Sequence, residues 1–150
     1  MAVARLRNYS IVILDSNALF MPFQFKLNLD SELKRILGEY ELVIPSCVRI
    51  ELESLKASEK FGTLASKLAS KIPQPNWYLK FEANQKLVPN ANDLINRFER
   101  TDNQLIEIAK ELDGIVVTND RKLLKRLHAN NITTISLRAK KYLKMNSRFR

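Results

Sequence analysis

A chain of 150 residues can bury roughly 70% of its unfolded surface in one core, and 45% hydrophobic with 27% charged residues is the composition of one folded soluble domain. Three isolated glycines (Gly38, Gly62, Gly114) exclude a phosphate-cradling glycine loop, a single cysteine (Cys47) excludes an internal disulfide or multi-cysteine zinc site, and a single histidine (His128) excludes paired imidazoles. The formal charge of +9 is unevenly spread: residues 121–150 carry ten Lys or Arg and no acid, which leaves 15 of the 25 cations against all 16 acids in residues 1–120.

The apolar stretch after Tyr9 runs only about five residues before Asp15 interrupts it, too short for a secretory signal, and no stretch approaches the ~20 residues of a membrane span. A cytoplasmic protein with no membrane partner is expected, and the lone thiol at Cys47 reads as a small buried hydrophobe. Residues 11–14 (IVIL) form a continuous β-branched run, the mark of a central strand buried on both faces. Asp30 or Ser31 caps a helix that Gly38 stops after Leu37, and residues 41–44 (ELVI) form the next strand, stopped by Pro45. Ser46 then caps a helix reaching about residue 56, and a second helix spans about 59–72. Residues 71–93 hold three prolines and no helical period, which predicts a loop around one short strand at 78–81, with Trp77 and Tyr78 packed against the sheet. Thr101 caps a helix over 102–112, Gly114 ends it, and residues 115–118 (IVVT) form another strand. Asp120 opens a helix to about residue 127, and residues 132–137 (ITTISL) make the last strand. Strands separated by helices predict an α/β domain over residues 1–137, a mostly parallel sheet covered on both faces, followed by a basic C-terminal tail, residues 138–150. In that tail cations alternate with Tyr142 and Phe149, a pattern suited to phosphate contacts plus base stacking; a solvated solubility tail is the plainer alternative.

Chemistry must then come from carboxylates. Reactive groups of an open parallel sheet gather at the carboxyl ends of its strands, and Asp15 directly follows the first strand, although Asp there is also an ordinary turn-former. At about 100° per residue, Asp102 lies within about 60° of Leu105, Ile106 and Ala109, and Asp120 keeps the same relation to Leu123, Leu124 and Leu127. A first-turn Asp commonly just complements the helix dipole, but a dipole favours no particular face, and both aspartates take the inward one. On the helix after Pro45, Glu51 sits on the shoulder of the Val48, Leu52, Leu55 stripe while Glu53 points to solvent. Asp113 precedes its strand and therefore belongs to the wrong end of the sheet. His128 reads as a helix-end residue.

Four carboxylates (Asp15, Glu51, Asp102, Asp120) in one partly buried crevice repel unless a cation neutralises them. All-oxygen ligation suits Mg²⁺ or Mn²⁺, ions able to activate a water and stabilise the leaving oxygen of a phosphodiester. Beside an acid-free basic segment, such a site implies a polyanionic substrate, with Arg121, Lys122, Arg138, Lys140, Lys141 and Lys144 as candidate nucleic-acid contacts.

At these residues the sequence resembles the PIN-domain nucleases. ILDSNALF (residues 13–20) is similar to their opening strand-and-Asp motif, PSCVRIELESL (45–55) to their Glu-bearing helix, TDNQLIEIA (101–109) to their inward Asp helix and VVTNDRKL (116–123) to their closing Thr-x-Asp. PFQF and ISLR resemble the ribosomal-RNA-processing branch, including small archaeal members, more than the VapC-type toxins. The resemblance implies a three-layer α/β/α domain with a central parallel sheet of order 3-2-1-4-5, and Mg²⁺- or Mn²⁺-dependent endonucleolytic cleavage of RNA leaving a 5′-phosphate and a 3′-hydroxyl. It makes Asp15, Glu51, Asp102 and Asp120 the acidic set, with Asn17, Thr118 and Asn119 as polar supports around it, and Ser16 stands where the family more often has Thr. A homodimer is compatible with it. Two alternatives stay open: a ribosome assembly factor that binds RNA without cutting it, and a toxin ribonuclease held by an antitoxin.

Overall fold

The computed structural model describes residues 8–85 and 97–146. Residues 86–93 of the proline-rich stretch and residues 147–150 of the basic segment, with Phe149, lie outside the described residues. The elements run β1 (Ser10–Leu14), α1 (Ser16–Gln24), α2 (Leu29–Leu37), β2 (Tyr40–Val43), α3 (Ser46–Leu55), α4 (Gly62–Lys71), α5 (Asn76–Asn84), α6 (Arg97–Leu112), β3 (Ile115–Val117), α7 (Arg121–Ala129), β4 (Thr134–Arg138) and β5 (Tyr142–Asn146).

The strands form one sheet ordered β2-β1-β3-β4-β5. β1 pairs in parallel with β2 and β3, β3 in parallel with β4, and β4 antiparallel with β5. The registers Leu14 to Val117 and Val117 to Ile135 bring the carboxyl ends of β1 and β3 level with each other, while β4 runs on three residues further, to Arg138. Helices flank this sheet, an α/β architecture with the central order that was expected, changed at both edges. The strand expected at 78–81 is instead part of α5, so nothing among the described residues pairs outside β2. Pro75 occupies the N-cap of α5, where its missing N–H costs nothing. Tyr78, fully buried, then meets Phe81 one turn on, ring centroids 5.8 Å apart. At the other edge the sheet extends into the segment expected to be a tail. Leu143 is buried in the core, and Lys141 N–H donates to Arg138 C=O (3.0 Å) to turn the chain back onto β4. The folded domain thus continues to Asn146.

Residues 11–14 are essentially inaccessible, as a strand covered on both faces requires, and Leu105, Ile108, Leu112, Val116, Leu127 and Ile135 join them in the core. Fully burying a side chain of this size contributes about 1.5–3 kcal/mol. Several helix starts differ from expectation. Asn28 caps α2, its Oδ1 accepting from Ser31 N–H (3.0 Å), while Gly38 closes it at φ +74° as expected. Pro45 takes the cap position of α3, and Ser46, now its first residue, donates its N–H (2.7 Å) and its hydroxyl (2.6 Å) to Glu82 of α5. α4 starts at Gly62, where an added Cβ would lie 2.5 Å from the Leu55 carbonyl oxygen; a side chain there cannot fit without moving backbone. α6 starts at Arg97, upstream of the expected cap Thr101. No helix among the described residues is long and apolar enough to cross a membrane.

Candidate active site

Asp15 leaves the end of β1 in extended conformation and serves as the N-cap of α1: its Oδ1 accepts from Ala18 N–H at 2.8 Å. α1 was not foreseen, because Pro22 falls inside it and breaks the sequence pattern. The helix nonetheless buries Ala18, Leu19, Phe20 and Met21, and tertiary packing overrides the proline. Asp120 caps α7 in the same way, accepting from Lys122 N–H (2.9 Å) and Leu123 N–H (3.2 Å). Capping is thus a real part of its role, but only one of its oxygens takes these bonds. Thr118, wholly buried, joins the two aspartates, hydrogen-bonding the Asp15 carboxylate and accepting from Asp120 N–H at 3.1 Å.

Glu51, on α3, is 93% shielded from solvent, and Ser16 donates its hydroxyl to Glu51 Oε1. Asp102 lies in the second turn of α6 rather than at its mouth, which removes the dipole explanation for its inward placement. These four acids, from four separate segments of the chain, line one cleft of about 410 Å³ together with Ser16, Asn17, Phe20, Gln24, Glu59 and Thr101. Asn17 accepts at its Oδ1 from Asn119 N–H (2.8 Å), tying the β3–α7 loop to the first turn of α1. Of the polar supports expected, Asn17 and Thr118 act through their side chains, whereas Asn119 contributes its backbone N–H.

The electrostatics record the crowding. Burial pushes the Asp15 carboxyl up to about 7, against the bonds from Thr118 and Ala18 and with help from the nearby charges of Glu51 and Asp120. Asp102 is raised to about 6 by burial, then by Asp120 and Glu51, while Arg126 and Lys122 pull it down. Among the described residues no group of three or more His, Cys, Asp or Glu is arranged as a ready cation cage. The donor set is nonetheless all oxygen, the charges of Glu51 and Asp120 raise the proton affinity of Asp15 and Asp102, and a divalent cation would relieve that repulsion, so the residues fit Mg²⁺ or Mn²⁺ chemically.

Other polar groups are placed elsewhere. Glu53 is exposed beside Lys56, and Asp113 lines a separate hollow with Lys110 and Asn131 at the opposite end of the strands. His128, on α7, places its Nε2 2.9 Å from Thr134 Oγ1 of β4, away from the cleft lining. Cys47 is unsuited to nucleophilic work, since burial, then Glu82, push its thiol up to about 12. Arg121 and Lys122 are exposed at the start of α7, and Arg138, Lys140, Lys141 and Lys144 are exposed on the β4–β5 hairpin. Sequence reasoning missed two contributors. Ser16 was noted only as a variant of a family Thr, although a hydroxyl following a strand-end Asp was a usable signal. Glu59, a fifth acid on the cleft wall, opens the helix expected over 59–72, but α4 starts only at Gly62 and leaves Glu59 in the turn after α3, where helical periodicity gives no direction.

Comparison with known proteins gives one consistent answer. Residues 12–140 match the family described as PIN like domain. The chain is 33% identical over 136 residues to Ribonuclease VapC4 of Methanocaldococcus jannaschii, an alignment covering 89% of this chain and 95% of that protein. Its fold superimposes on the PIN domain endonuclease Utp24 with a TM-score of 0.60 at 18% identity, over 91% of each chain. By its sequence along most of its length and by its fold, the chain belongs to the PIN-like domain family.

Proposed function

We propose that the protein is a Mg²⁺- or Mn²⁺-dependent endoribonuclease that hydrolyses RNA phosphodiester bonds in the cleft lined by Asp15, Glu51, Asp102 and Asp120. The observation that carries this reading is the convergence of those four carboxylates, from segments up to about a hundred residues apart, on one cleft at the carboxyl end of the sheet. The names of the two similar proteins, a ribonuclease and an endonuclease, support it. Bound between these acids, the cation would supply an activated water and neutralise charge at the leaving oxygen.

The chain's own residues supply the rest. Ala18 N–H and Thr118 fix the Asp15 carboxylate, the α7 amides fix that of Asp120, and Ser16 orients Glu51, so three of the four acids are held before substrate arrives. Phe20 and Leu105 form apolar cleft wall. The exposed cations of α7 and the β4–β5 hairpin attract the phosphate backbone from outside. Processing of ribosomal RNA in the cytoplasm is the setting we favour. The VapC4 likeness favours a second setting, a toxin ribonuclease restrained by an antitoxin, in which the same cleft does the same chemistry.

The test is cleavage of single-stranded RNA by purified protein. Wild type should cut with Mn²⁺ or Mg²⁺, leave 5′-phosphate ends and stop on chelation, and Asp15→Asn and Asp102→Asn should lower the rate at least ~10²-fold while staying folded. Undiminished cutting by the folded variants refutes the site, and tight RNA binding without any metal-dependent product returns the protein to the class of RNA-binding assembly factors.

A further inference from the structure

The outer edge of β5 is closed by side chains. Glu32 Oε1 accepts from Leu143 N–H (2.7 Å), and Arg35 Nη2 donates to Leu143 C=O (2.8 Å). The two α2 residues also pair with each other, Arg35 Nη2 to Glu32 Oε1 at 3.0 Å and Arg35 Nε to Glu32 Oε2 at 3.3 Å. Glu32 and Arg35 therefore present one acceptor and one donor at the position a neighbouring strand would occupy, and they bracket the hairpin against the body of the domain. The turn held in this way contains Ala139 at φ +53° and Lys140 at φ +55°, a left-handed conformation that glycine or asparagine adopts far more readily. Alanine and lysine in such a turn point to a use for the lysine side chain that outweighs the strain.

The turn's position suggests that use. β4 runs parallel to β1 and β3, so the turn leaves the same end of the sheet as Asp15 and Asp120. It stands two strands across from β1 and about two residues above Asp15, an offset on the order of 12 Å at ~4.8 Å between strands and ~3.3 Å per residue. That offset corresponds to roughly three nucleotides of a stacked single strand at ~3.4 Å each. Arg138, Lys140 and Lys141 are all exposed there.

We propose that the Arg138 to Lys141 turn is a fixed ledge that binds RNA phosphates flanking the cut, and that Glu32 and Arg35 are positioning residues that hold the ledge in place. This rests on the ribonuclease reading of the cleft, and its test is therefore made on binding, with EDTA present so that nothing is cut. A short fluorescein-labelled single-stranded RNA is titrated with wild type, Lys140→Gly, Lys141→Ala and Glu32→Ala between about 50 and 300 mM salt.

Lys140→Gly should raise the melting temperature by about 2–4 °C by relieving the left-handed turn, and yet weaken RNA binding about fivefold and flatten the slope of log K against log salt by about 0.7. Lys141→Ala should change affinity and slope in the same sense. Glu32→Ala removes a negative charge, so long-range electrostatics alone would tighten binding; loss of the bracket should weaken it about threefold instead. Lys140→Gly and Lys141→Ala proteins that bind as wild type, with unchanged slope, overturn the ledge, and tighter binding by Glu32→Ala overturns the bracket's role. A wild type that binds RNA through this turn but makes no metal-dependent product leaves the ledge standing and refutes the ribonuclease reading alone. Normal cleavage together with ledge variants that bind normally does the reverse.

Discussion

Replacing Asp15 by Asn should make the metal-free protein more stable at neutral and alkaline pH, and the gain should vanish in acid. In the folded chain, buried Asp15 holds its proton up to about pH 7, against an unfolded value of 3.8. Below the unfolded value both states are protonated and stability carries no penalty. As pH rises from about 4 to 7 the unfolded chain releases this proton while the folded chain retains it, so the folded state binds more protons and stability falls. Above about 7 the full penalty is present. At about 1.4 kcal/mol per pH unit the interval amounts to about 4 kcal/mol, which for a domain of this size is a difference of ~8–16 °C in melting temperature. Asn carries no charge to desolvate and serves equally well as an N-cap, so the Ala18 N–H keeps its acceptor. The assay is a set of thermal melts of wild type and Asp15→Asn in EDTA from pH 4 to 8, read as the difference between the two curves, so that titrating groups remote from Asp15 cancel and what is left belongs to Asp15 and the acids coupled to it. The difference should start near zero and open upward with pH. Saturating Mn²⁺ should close it by stabilising wild type selectively through binding to the folded state. A difference that is flat in pH, or that favours wild type at pH 8 without metal, refutes the reasoning about this carboxylate.

Ser16→Ala should lower the cleavage rate about tenfold with little change in KM for RNA, because Glu51 loses the hydroxyl that orients it, and Ser16→Thr should restore the rate. Gly62→Ala should destabilise the protein by about 1–3 kcal/mol in denaturant melts, since the new methyl group meets the Leu55 and Lys56 backbone. Leu143→Ala should cost about 2–4 kcal/mol; a change below ~0.5 kcal/mol would mean that β5 is not part of the folded core. Truncation at residue 138 would remove that same core residue, so loss of RNA binding on truncation would report unfolding as much as lost charge.

The four acids and most of the sheet were legible in the chain because local signals determine them. A continuous β-branched run marks a doubly covered strand, as at residues 11–14, and the 3.6-residue period gives the direction of Glu51 and Asp102 from their apolar neighbours alone. Elements whose local signals conflict with their packing stayed hidden. Pro22 argues against α1, which survives because Leu19, Phe20 and Met21 are buried between its neighbours. The stretch around Tyr78 has the aromatic content of a strand, but the buried Tyr78 ring, its contact with Phe81 and the bond from Ser46 to Glu82 select a helix. The basic C-terminal segment has the composition of a solvated tail, and its antiparallel pairing with β4, Leu143 filling the core and the Glu32 and Arg35 bracket on its backbone make it a strand. Which side chains are acidic, and which way they face on their own element, is a short-range property that the sequence determines by itself. The link from Ser16 to Glu51, the Thr118 bridge between Asp15 and Asp120, and the raised proton affinity of Asp15 were decided by tertiary structure, because each depends on residues far apart in the chain being brought together out of water.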